Sequence, residues 1–226
     1  MNATTIIGLL GFGPGLVLLY FILGRYEWYF KDNKAFFMVI LGLFIGLIVG
    51  VISNTVPLTE FFWTLVIIFS IETIKFFILL QKPFRLEHDA TFYGMALGIG
   101  TAAMLVFVYS FGALESISFK TAVFILLISY NYTLINASTG ALIGYGSYKG
   151  DFWRYLFRSF VMHGIHGFLM TWVWNPDFAL STKFGILAFG AIYVTLVLTY
   201  IVKDIIPKTI PKDLKRARKK ALMDRE

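Results

Sequence analysis

Residues 35–57 read AFFMVILGLFIGLIVGVISNTVP, 23 residues without one charged side chain. About 20 apolar residues, rising 1.5 Å each, are needed for a helix to cross the hydrocarbon of a bilayer, so this stretch predicts a membrane span. Stretches of the same kind lie near 4–24, 58–80, 91–113, 120–147, 155–174 and 184–203. The expected fold is therefore all-α: a polytopic bundle of seven transmembrane helices over residues 1–203, followed by a basic tail over 204–226.

Composition points the same way. With 58% hydrophobic residues, 15% charged residues and a mean hydropathy of +0.75, the chain is too apolar for an ordinary soluble domain. The first stretch is expected to be a retained helix, because apolar segments continue to the end of the chain and leave no soluble remainder behind a signal peptide.

Seven spans place the termini on opposite sides, and the basic residues set the orientation. Arg25, Lys31, Lys34, Lys82, Arg85, Lys149, Arg154, Arg158 and the nine lysines and arginines from Lys203 onward make 17 of the 20 basic residues, all on one side. Lys120 and Lys183 lie opposite, and Lys75 falls inside the third span. That bias predicts an outer N-terminus and a cytoplasmic C-terminus in a multi-pass membrane protein. The run Lys215-Arg216-Ala217-Arg218-Lys219-Lys220 suits contact with anionic lipid; no specific nucleic-acid partner is expected.

No cysteine is present, which excludes disulfides, thiolate metal sites and cysteine nucleophiles. Asn2-Ala3-Thr4 fits a glycosylation triplet but abuts the terminus. Gly42, Gly46 and Gly50, Gly94 and Gly98, and Gly140 and Gly144 recur at four-residue spacing. Such small residues let helix backbones meet where lipid supplies no hydrophobic drive.

Ionisable groups within a span are costly and mark candidate sites. Glu72 and Lys75 are three apart on one helix, close enough to offset each other's charge. His163 and His166 share a face of the sixth span, as metal ligands, proton carriers or hydrogen-bonded packing residues. Ser129, Thr133, Asn136, Gly140 and Gly144 align along one face of the fifth. Counted at 1.5 Å per residue, Glu72, His163, Asn136 and His166 lie about 12 to 16 Å from the basic side. A shared polar cavity of Glu72, Lys75, Asp89, Asn136, His163 and His166 is the expectation, with local capping or pairing at the membrane edge as the alternative for Asp89.

At these residues the chain resembles the PrsW-type intramembrane metalloproteases, relatives of the CAAX-processing proteases. The likeness begins at Gly13-Pro14-Gly15 and Arg25-Tyr26-Glu27. It strengthens at Ile71-Glu72-Thr73-Ile74-Lys75, in the place of the family's Glu-Glu-x-x-Lys motif, and at Phe84-Arg85-Leu86-Glu87-His88-Asp89 followed by Tyr93-Gly94. Gly98 to Ala103, Asn136 to Gly144 and His163-Gly164 continue it.

The resemblance implies zinc hydrolysis of a peptide bond within the membrane, with carboxylates and histidines holding the metal. Several family positions are substituted here. Ile71 replaces the first glutamate of the pair, Leu105 the later glutamate, Asn136 the first histidine and Gly167 an aspartate. Isoleucine, leucine and glycine side chains neither bind zinc nor move protons.

The expected function is accordingly a catalytically degenerate, PrsW-like membrane protein without a cofactor, binding lipid or a partner transmembrane segment. An alternative is a rearranged zinc peptidase, with Glu72 and His163 catalytic and Glu72, His163 and His166 as metal ligands. A second is a small-solute or ion pathway, which no internal repeat or selectivity motif favours. A retinal protein is set aside, since Lys203 lies at the end of the last span.

Overall fold

The computed structural model describes residues 3–111 and 118–223, and the described residues hold helices and no strands. The helices are α1 (Ala3–Leu18), α2 (Asp32–Ser53), α3 (Phe61–Leu79), α4 (Ala90–Tyr109), α5 (Phe119–Lys149), α6 (Phe152–Trp174), α7 (Leu180–Tyr200), α8 (Ile206–Thr209) and α9 (Lys212–Met223). The Asn2-Ala3-Thr4 triplet begins outside the described residues.

Among the described residues, six helical segments are long and apolar enough to cross a membrane: Gly8–Tyr29, Asp32–Ser53, Phe61–Leu79, Ala90–Tyr109, Phe119–Lys149 and Leu180–Thr209. These make a multi-pass membrane protein of the chain. α6 has the length, at 23 residues, but is not among the six. It carries Arg154, Arg158, His163 and His166, which lower its apolar character.

α4 is the central element, with 16 of its 20 residues buried. It is apolar on every side because it is packed on every side. α2 lies against one of its flanks and α5 against another. The glycines make this possible: a methyl group on Gly94 would overlap the carbonyl oxygen of Gly140, and one on Gly42 would overlap that of Leu97. The four-residue glycine spacing thus serves contacts within one bundle, where close backbone approach strengthens van der Waals packing.

Several helices end otherwise than their apolar stretches suggest. α1 carries on through a π turn, Leu19–Leu23, and a 3-10 segment, Gly24–Tyr29, before α2 begins. α7 continues through a second π turn, Ile201–Ile205, into α8. Pro207, lacking an N–H, sits at the start of that last short helix. Lys203 and Asp204 face outward while Ile205, Ile206, Thr209 and Ile210 are buried, and Thr209 bonds Thr91 of α4 at 3.0 Å. The segment after residue 203 is therefore part of the core as far as Ile210. α9 is then tied back to the end of the first helix, where the Arg218 guanidinium lies over the Tyr29 ring and donates to the Arg25 carbonyl at 3.3 Å.

α5, the longest helix at 31 residues, is closed at both ends by local chemistry. The Ser118 side chain accepts from the Thr121 N–H at 3.1 Å. Gly150 ends it with φ of 72°, the left-handed conformation that glycine adopts without strain.

Candidate functional site

α3, α5 and α6 meet at a buried polar cluster inside an apolar bundle. α3 presents Glu72 and Lys75, both 0% exposed; α5 presents Asn136 and Thr139, also 0% exposed; α6 presents His163 and Ser159. Each pair is spaced by three or four residues, so one helical face delivers both side chains to the same point.

Four groups bind the Lys75 ammonium. It donates to Glu72 Oε1 at 2.9 Å, to Asn136 Oδ1 at 2.9 Å and to Thr139 Oγ1 at 3.2 Å, with the Asn136 carbonyl oxygen at 3.4 Å. Glu72 Oε1 also accepts from the Thr139 hydroxyl at 3.0 Å and lies 2.6 Å from His163 Nδ1. A carboxylate paired with an ammonium can only accept, so His163 must carry its proton on Nδ1. Ser159 completes the wall by donating to the Thr139 carbonyl at 3.2 Å. Two opposite charges and their hydrogen-bonding neighbours are thereby removed together from lipid, the arrangement that makes an intramembrane ion pair tolerable.

Two buried atoms at the edge of this cluster have no hydrogen-bond partner: Glu72 Oε2 and His166 Nε2. His166 stands edge-on to the Tyr132 ring at 5.3 Å, and its ring centre is 6.1 Å from that of His163. Both histidines, with Ile71, Gly167 and Tyr132, line a cavity of about 20 Å³. Ile71 and Gly167 are thus cavity wall. Leu105 is fully buried apolar core on α4.

Asp89 belongs to a different cluster. At the foot of α4 it accepts from the Tyr93 hydroxyl at 2.7 Å, and Tyr93 in turn accepts from the Lys31 N–H at 3.0 Å. This pins the loop before α2 to the start of α4. Of the stripe on α5, Ser129 donates to the Gly11 carbonyl of α1 at 2.8 Å, while Gly140 and Gly144 meet α4. Thr139 and Ser159 are site residues that the sequence did not single out. Thr139 lies three residues after Asn136, and that spacing is the signal for it.

A zinc ion would have to compete with the hydrogen bonds of Glu72 and His163 for its ligands. Glu72 Oε1 is already taken by three partners, and His163 spends Nδ1 on that same oxygen. Among the described residues no three His, Asp, Glu or Cys side chains gather as a metal site. Glu72 Oε1 and His163 Nδ1 are thus committed to each other, whereas Glu72 Oε2 and His166 Nε2 are left without partners; a zinc site needs three such ligands converging on one point.

On the outer flank of the cluster, α3 and α6 leave an apolar groove of about 390 Å³. Phe69, Phe76, Phe77, Trp153, Phe157 and Phe160 line it, together with Glu72 and Thr73. The chain matches no protein-family model, no curated protein and no solved structure.

Proposed function

We propose that this chain is a PrsW-like membrane protein that has kept a groove for a hydrophobic ligand but not hydrolytic chemistry. The observation that carries this is the position of the Lys75 ammonium, 2.9 Å from Glu72 Oε1 and 2.9 Å from Asn136 Oδ1. Those are two of the positions at which the family likeness puts metal-site residues, and here an ammonium ties them together. Glu72 and His163, the candidates for catalysis, act in this reading as an electrostatic core that joins three helices.

The groove between α3 and α6 is read as a seat for a lipid chain. A partner transmembrane helix would need small residues on the walls so that backbones could approach. The walls are instead aromatic, with six large rings around a narrow apolar space. Retained lipid in detergent-purified protein, measured by native mass spectrometry, tests this. Leu156→Trp, which fills the groove, is expected to release that lipid; unchanged retention would remove the groove from the account.

The topology belongs to the same proposal: seven spans, N-terminus outside, C-terminus cytoplasmic. Supporting it, α6 packs against α3, α5 and α7 and has the length of a span despite its polar residues. The cytoplasmic face then bears 17 of the 20 basic residues, and the exposed basic face of α9 is suited to anionic lipid.

A second reading, a rearranged zinc peptidase using Glu72, His163 and His166, is favoured by the two unpartnered atoms Glu72 Oε2 and His166 Nε2. Stoichiometric zinc would be its signature.

A further inference from the structure

His166 is 1% exposed, and its Nε2 has no hydrogen-bond partner in the protein. An imidazole nitrogen left without a partner in such a place loses the hydrogen bond it would make in water. The cavity beside it, at about 20 Å³, has the size of one water, which needs polar neighbours as well as room. His163, His166 and the two phenols of Tyr109 and Tyr132 all line that cavity.

The cavity shares part of its wall with an open pocket. Leu58, Tyr109 and Trp174 are in its wall and are also in the wall of a second, open pocket of about 260 Å³. That pocket lies at the turn between α2 and α3, with Ser53, Asn54 and Thr59 supplying polar groups. Tyr109 and Trp174 stand between the two spaces, rings edge to face at 5.6 Å, and the Trp174 N–H donates to the Tyr132 hydroxyl at 3.4 Å. Tyr109 and Trp174 thus separate the polar pocket at the α2–α3 turn from the cavity lined by His166 and His163. On the opposite flank, the groove at Glu72 is walled by apolar rings.

We infer that the small cavity is an ordered-water site, and that water reaches the histidine pair from the α2–α3 end of the bundle by displacement of Tyr109 and Trp174. This goes beyond the reading of the groove as a lipid seat and does not rest on it. The site takes a water-sized hydrogen-bonding molecule, and its access is one-sided.

The chain has no cysteine, so single cysteines can report access without background. A charged methanethiosulfonate reacts with thiolate, which forms only where water reaches the sulfur. In sealed vesicles, Leu58→Cys is expected to be modified from the α2–α3 side. Met170→Cys, inside the cavity, is expected to react slowly, and several-fold faster when combined with Trp174→Ala. Phe168→Cys, on the exposed apolar face of α6, should stay unmodified. The inference is overturned if Met170→Cys with Trp174→Ala is as inert as Phe168→Cys, or reacts only from the side of Lys82 and Arg85. A second readout avoids new cysteines: carbethoxylation of His166 by diethyl pyrocarbonate, referred to His88 in the loop between α3 and α4. The His166 to His88 ratio should rise several-fold in Trp174→Ala, and an unchanged ratio counts against the access path.

Discussion

Lys75 on α3 and Asn136 on α5 meet at 2.9 Å through Nζ and Oδ1, 61 residues apart in sequence. With Glu72 at 2.9 Å on the other side of the same ammonium, this contact holds two helices together by a charge that lipid cannot solvate. Lys75→Met removes that charge and leaves the Glu72 carboxylate buried against His163. Breaking a buried pair in this way costs about 3–5 kcal/mol. A large fall in thermal midpoint in detergent is expected, partly recovered by the double change Glu72→Gln with Lys75→Met.

Thr139 donates to Glu72 and accepts from Lys75, so its hydroxyl couples both charges to α5. Thr139→Val keeps the shape and removes the hydroxyl, at an expected cost of about 1–3 kcal/mol. Thr139→Ser should recover most of the loss, as thermal unfolding of the three proteins would show.

Gly94 and Gly140 face one another where α4 and α5 cross. Gly94→Ala sets a methyl group against backbone that no rotamer change can move aside. A loss of about 1–3 kcal/mol is expected, the range of an overpacked core. Gly13→Ala serves as the control, because a methyl group there meets nothing within 4 Å.

The helices were legible in the sequence because each apolar stretch is as long as a bilayer is thick. Less legible was what happens at their ends. Lys203 and Asp204 read as the beginning of a polar tail, yet the π turn at Ile201–Ile205 rotates Ile205 and Ile206 into the core. α6 shows the limit of hydropathy, since Arg154, Arg158, His163 and His166 keep a helix of 23 residues out of the segments apolar enough to cross a membrane. At the site, the spacing of Glu72 with Lys75 is a property of one helix and can be counted. That these two meet Asn136 and His163 depends on how three helices rotate about their axes, which equal depth does not fix. Thr139 shares a face with Asn136, but the stripe of small residues runs through Gly140, one position further on, and masks it. Asp89 reads in the sequence either as part of the same cavity or as a local pairing at the membrane edge, and it is paired locally, with Tyr93.

Orientation can be read directly. A reporter fused after Lys220 is expected to be active only in the cytoplasm, and one inserted before Ser118 only outside. Reporters active on the same side at both places would mean an even number of crossings between them, and α6 would then no longer count as a span.

The most direct test of the ammonium-bridged site is the metal content of detergent-purified protein, prepared without chelators, for the wild type and His163→Ala. Zinc far below one ion per chain in both is the expected result. Near-stoichiometric zinc in the wild type, lost in His163→Ala, would contradict it and make a rearranged metallopeptidase the account to pursue.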